Sequence, residues 1–217
     1  MTNPKDVLFT GSVVDRLLDV AVAAHLPTTP PLEDELQRFA RVMVDSQTVM
    51  WMNPLDATAA LLDLLAEETD TPVFATRPAA YRDKLARAAR DEPIGDFLHG
   101  LAALVRELTR VVPPGFDELP MSQWEAGITF SQTCGLTEYM RSGEFDDVRA
   151  AAREIAGMDH PDCQWRIAGL GGELQRLLFM FPRPEAMDAA FAAVHGPTHA
   201  DVELLLHAVR THFAEEH

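Results

Sequence analysis

The sequence predicts an all-α fold, an irregular bundle of about eight or nine helices that has room for two lobes. Apolar residues recur every three or four positions through most of the 217 residues, and this is the period of an amphipathic helix. Period-two alternation, which marks a half-buried strand, is rare. Stretches rich in proline and glycine interrupt the apolar periodicity at intervals that suit helices of ordinary length.

The first half of the chain contains five predicted helices. Residues 7–26 form the first, and the PTTPP run that follows forces an extended connection, because proline disfavours helix at the residue before it. Residues 32–52 form the second. The NPLD motif then places an N-cap at Asn53 and starts the third helix with proline at its first position. The fourth covers residues 78–91 and the fifth runs from about residue 96 to the PPG stop at 113–115. The TPVFAT segment between the third and fourth helices is predicted to be a short strand or a loop.

The second half is predicted to hold the remaining helices. Ser122 and Glu125 fit a capping box, which starts a helix that should end near residues 142–143. Residues 144–157 form the next helix, and residues 163–181 form a long one interrupted by the GLGG stretch. A short helix over 184–194 precedes a final helix that begins near His199. Because charge keeps its sign across the PPG stop, the prediction is a single domain over residues 1–217, with a lobe boundary near 113–120.

Composition excludes several classes of function. The chain has 34 acidic and 18 basic residues, a net charge of −16, and no basic stripe of the kind that binds phosphate backbones. Direct binding to nucleic acid or to an anionic membrane surface is therefore disfavoured. No secretory signal pattern and no apolar run of about 20 residues is visible. Cys134 and Cys163 match no disulfide framework and no metal spacing, so a reducing cytoplasm is the expected location.

Three polar residues of the final predicted helix raise the question of a metal site. His199, Glu203 and His207 stand four residues apart and form a row beside the apolar stripe. This row drifts towards solvent, whereas metal ligands converge in a protected pocket. The sequence therefore predicts a solvated rim, no metal site and no cofactor. A metal-dependent enzyme is an alternative that would require a further inward ligand, for which Glu173 and His160 are candidates.

Two further histidines close the chain. His212 and His217 follow in the same predicted helix. They are expected to contribute little, because helix ends fray.

Large apolar residues suggest a binding surface. Met50, Trp51 and Met52 are consecutive, so they cannot all face one side of a helix. Methionine adapts to irregular surfaces and tryptophan is a frequent interface anchor. A central helix buried on all sides also explains the pattern. Trp124 and Trp165 raise the same question.

The function expected from the sequence is binding without chemistry. An acidic helical protein of this kind would act as an adaptor, regulator or assembly factor. Its partner would be another protein or a second copy of this chain. The alternatives are a helical pocket for a small ligand, lined by the methionines and tryptophans, and the helical metal-dependent enzyme that uses His199, Glu203 and His207.

Overall fold

The computed structural model describes residues 12–26, 30–45, 54–145, 147–158 and 160–217, with the backbone alone at 45 and 164–166. The predicted all-α class is confirmed, and no strand occurs among these residues. They form eleven α-helices rather than eight or nine. The helices are α1 Val13–Ala24, α2 Leu32–Asp45, α3 Leu55–Thr69, α4 Ala79–Ala89, α5 Ile94–Leu108, α6 Gln123–Thr129, α7 Ser131–Met140, α8 Val148–Gly157, α9 Cys163–Met180, α10 Pro184–Ala190 and α11 His199–Glu216.

The chain divides into two compact units, residues 1–114 and residues 115–217. The division falls within the PPG segment that follows α5. No described helix is long and apolar enough to cross a membrane.

The first unit contains α1 to α5. Helix α3 packs against α5, and α1 packs against α2, α3 and α4. Lys84 on α4 donates to Asp15 and Asp19 on α1, at 2.6 and 2.8 Å. The segment predicted as a strand or a loop is a short 3₁₀ turn, Phe74–Thr76. This turn leads into Arg77. Its guanidinium donates hydrogen bonds to both carboxylate oxygens of Glu68, and these bonds lower the pKa of the Glu68 carboxyl.

The second unit contains α6 to α11 around its own apolar core. Helix α11 packs against α8, α9 and α10, and its face of Val202, Leu205, Leu206 and Val209 is buried. A complete capping box fixes where this helix begins. The Thr198 hydroxyl accepts from the Asp201 backbone N–H at 3.2 Å, and the Asp201 carboxylate accepts from the Thr198 N–H at 3.0 Å.

One predicted helix of the second unit is two helices. The segment that starts at Ser122 breaks at Phe130, whose backbone leaves the helical region with φ −135° and ψ 49°. The Phe130 ring is fully buried and lies 6.4 and 6.1 Å from the rings of Phe181 and Phe191. Aromatic packing in the core therefore outweighs the helical preference of this segment.

The interruption predicted at GLGG is absent, because α9 runs unbroken from Cys163 to Met180. Gly171 faces α11, and a Cβ placed there would lie 3.5 Å from Val209 Cγ1. This glycine marks close packing of α9 against α11 rather than a break.

Candidate metal centre

Four potential metal ligands meet where α11 ends against the start of α9. His160 lies in the turn between α8 and α9, and Cys163 is the first residue of α9. His212 lies near the end of α11, and His217 follows its last helical residue. Because α11 packs against both α8 and α9, residues from two distant parts of the sequence are brought to one place. Each can offer one ligand atom, and these four atoms lie within 4.8 Å of one another.

The imidazole nitrogens converge on the sulfur of Cys163. His217 Nε2 lies 2.9 Å from Sγ, His212 Nε2 lies 3.1 Å from it, and His160 Nδ1 lies 3.8 Å from it. In a tetrahedral zinc site, bonds of about 2.0–2.3 Å hold neighbouring ligand atoms roughly 3.3–3.6 Å apart. The three separations from Sγ, 2.9, 3.1 and 3.8 Å, lie on both sides of that range, so the four atoms have the spacing that an ion between them needs.

Burial of the four residues is graded from the interior to the surface. Cys163 is fully buried, His212 is half-buried, and His160 and His217 are exposed. The Phe213 ring lies 6.0 Å from the His212 ring and 5.4 Å from the His217 ring. The site thus has a buried sulfur, an aromatic ring against two of its imidazoles and a solvent-facing side through which an ion can enter.

The donor set defines which metals fit. One thiolate and three imidazoles suit zinc and the late first-row metals, whereas calcium and magnesium need oxygen ligands. Four protein ligands also complete a tetrahedron, which is the arrangement of structural zinc sites. Catalytic zinc sites keep one position for water.

The structure places the last two histidines in a setting that differs from the expected frayed helix end. Helix α11 is continuous to Glu216, and the imidazoles of His212 and His217 both reach Cys163. The signal was present in the sequence as two short spacings, H-x₂-C at 160–163 and H-x₄-H at 212–217. Zinc sites often use ligand pairs at these spacings. A search confined to pairs of cysteines misses a site in which histidine takes the place of the first cysteine.

The row considered in the final predicted helix does not converge as ligands. His199 Nδ1 lies 3.7 Å from Glu203 Oε2, and Glu203 is 62% exposed. His207 is also exposed. Within the described part of the chain, these three residues belong to no cluster of potential metal ligands. Glu173 has another role, since its Oε1 accepts from the backbone N–H of Thr133 in the first turn of α7, at 2.6 Å.

Of the apolar residues predicted to bind a partner or a ligand, Trp124 alone has a described side chain. Met50, Trp51 and Met52 lie outside the described residues. Trp124 is half-buried on α6. Trp165 lies on α9, with its backbone alone described.

The other cysteine of the chain, Cys134, lies in a different environment. Cys134 is on α7, where its Sγ donates to the Ala126 carbonyl at 3.7 Å. Burial, with a smaller contribution from the nearby Glu173 carboxylate, raises the pKa of the Cys134 thiol to about 11. This thiol stays protonated at neutral pH and is a poor metal ligand, since metals bind the thiolate.

Comparisons of this chain with protein-family models, with curated proteins and with solved structures found no match.

Proposed function

We propose that the second unit is a zinc-binding helical module in which His160, Cys163, His212 and His217 hold one ion. The observation that carries this proposal is the convergence of three imidazole nitrogens on one buried sulfur, with all four ligand atoms within 4.8 Å. The protein would act by binding rather than by chemistry, because four protein ligands leave zinc no open position for a substrate.

The role proposed for zinc is to cross-link the end of α11 to the turn that precedes α9 and to the first residue of α9. These two parts of the chain are 49 residues apart between Cys163 and His212. An ion bound by both adds its binding free energy to the folded state, since a preformed site rarely exists in the unfolded chain. At a free zinc concentration about 100 times the Kd, the added stability would be about 2.7 kcal/mol. For a unit of roughly 100 residues, this raises the melting temperature by roughly 10 °C or more.

The test is metal analysis of the untagged protein, combined with a zinc titration followed by thermal unfolding. We expect one zinc per chain in the wild type. Light scattering on the same sample gives the number of chains in each particle, and a ratio of one zinc to two chains in a dimer would indicate an ion shared between copies. Replacement of zinc by cobalt(II) adds a direct probe, because thiolate-to-cobalt charge transfer absorbs when a cysteine is a ligand and should be lost in Cys163→Ser but not in Cys134→Ser.

Matched variants separate the site from the rest of the chain. Cys163→Ser and His212→Ala should lose the ion. His160→Ala should keep a weaker site with one open position, because His160 is exposed and lies farthest from the sulfur. Cys134→Ser and His207→Ala are the controls, a thiol away from the site and an exposed histidine on the same helix. A wild type that neither contains zinc nor is stabilised by it would refute the proposal, as would equal metal loss in the controls.

A further inference from the structure

A cleft between α8 and α11 of the second unit gathers cationic and hydrogen-bonding side chains. Its volume is about 280 Å³. Two buried alanines, Ala152 and Ala208, are among the residues that line it. Their small side chains leave space between the two helices for a small molecule. None of the residues that line the cleft is a ligand of the candidate metal centre.

Helix α8 contributes two guanidinium groups to this cleft. Arg149 and Arg153 are four residues apart, so they lie on the same face of the helix. Like charges at this spacing repel each other. Both arginines are exposed, and neither forms an ion pair with a carboxylate among the described residues. By contrast, Arg77, Arg106 and Arg141 each contact a carboxylate.

Helix α11 contributes an imidazole and a hydroxyl group from the opposite side. His207 and Thr211 are also four residues apart and both line the cleft. Each can donate a hydrogen bond to an acceptor placed between the helices.

Among the described residues that line the cleft, the one carboxylate belongs to Asp147, and it accepts a hydrogen bond at the start of α8. Its Oδ1 accepts from the backbone N–H of Ala150 at 2.7 Å, as the N-cap of that helix. The partial positive charge of the α8 N-terminus adds to the charge of the two arginines.

We infer that this cleft binds a small phosphorylated molecule, with its phosphoryl oxygens held by Arg149 and Arg153. The planar guanidinium forms paired hydrogen bonds with phosphate oxygens, and two such groups from one helix face match a dianion. His207 and Thr211 close the opposite side as donors. The ligand is small because the cleft is small and because the net charge of −16 opposes a nucleic-acid polymer.

The test uses the full chain in phosphate-free buffer, titrated by calorimetry with pyrophosphate and separately with inorganic phosphate. Binding of pyrophosphate alone points to a phosphorylated metabolite, and binding of both equally points to free phosphate as the natural ligand. Either result supports the oxyanion site. Absence of binding by the wild type to both probes overturns it.

Variants of the two arginines, with a control that removes the same charge elsewhere, show where the anion binds. Arg149→Gln and Arg153→Gln should each weaken binding by about tenfold, the loss of one charge-assisted contact. Arg149→Lys should be intermediate, since lysine keeps the charge and loses the planar fork. Arg183→Gln removes the same charge from an exposed arginine of the second unit that does not line the cleft, and it should bind as the wild type does. Equal weakening by Arg183→Gln would show nonspecific attraction and overturn the inference.

Two controls keep the result independent of folding and of metal. Circular dichroism of each variant confirms that helix content is unchanged, and Thr211→Val supplies a neutral variant that should weaken binding less than either glutamine variant. The titration is repeated after chelation of metal, and the affinity should stay the same. Loss of binding on chelation would mean that the anion binds the ion and not the arginines, and would contradict the inference.

Discussion

At the scale of single residues, the two cysteines show how environment decides what one side chain does. Cys163 is surrounded by imidazoles, whereas Cys134 donates to a helix carbonyl in a half-buried position. The sequence shows this difference only in part, because His160 stands three residues before Cys163 whereas His212 and His217 come from a distant part of the chain. The candidate site is therefore divided between two parts of the chain, each of which supplies one pair of ligands.

The raised pKa of Cys134 makes its reactivity predictable. With a pKa of about 11, about one molecule in a thousand carries a thiolate at pH 8, against about a quarter for an ordinary cysteine. At pH 8, we expect iodoacetamide to alkylate Cys134 at least about a hundredfold more slowly than it alkylates the cysteine of a free peptide. The rate should rise steeply between about pH 8 and pH 11, because deprotonation increases over that interval.

The measurement is mass spectrometry of the digested protein after timed alkylation. The urea-unfolded protein is the control, in which Cys134 should react at the ordinary rate. Rapid alkylation of folded Cys134 at pH 8 would show that the thiol is less buried than the structure indicates.

At the scale of elements, sequence signals that act locally predicted the structure well. The cap at Thr198 depends on residues within one turn and occurs at the predicted position, whereas α5 ends at Leu108, before the stop predicted at 113–115. The break at Phe130 and the continuity of α9 through its glycines depend on what packs against them. Such tertiary contacts cannot be seen in a window of neighbouring residues.

Two glycines of the second unit should respond to alanine in opposite directions. Gly172 lies within α9, and a Cβ there meets nothing within 4 Å. Gly172→Ala should raise the free energy of unfolding by about 0.4–1 kcal/mol, because alanine restricts the unfolded chain and suits a helix. A Cβ at Gly196 would lie 2.1 Å from Phe191 Cδ1. Gly196→Ala should therefore lower the free energy of unfolding by about 1–3 kcal/mol, as overpacking does.

Urea unfolding of both variants beside the wild type measures these changes. Destabilisation by Gly172→Ala would show that α9 does not continue through its glycines as the structure has it. A neutral Gly196→Ala would show that Phe191 is free to move away.

At the scale of the whole molecule, the class of fold was predictable because helical periodicity is repeated throughout the chain. The candidate metal centre was not, since His160 and Cys163 meet His212 and His217 only after α11 packs against α8 and α9. The short spacings within each pair, 160–163 and 212–217, indicate which residues could be metal ligands. Only the fold shows that the two pairs belong to one site.

The division into two compact units predicts where zinc acts. All four candidate ligands belong to the unit formed by residues 115–217, and each unit has its own internal packing. Hydrogen exchange of the full chain with and without zinc should show greater protection in residues 160–163 and in α9 and α11. Amides of α1 to α5 should exchange at unchanged rates, because local opening of one cooperative unit need not involve another. His212→Ala should abolish the difference, and a zinc-dependent change spread evenly over both units would mean that the ion acts on the chain as one cooperative body.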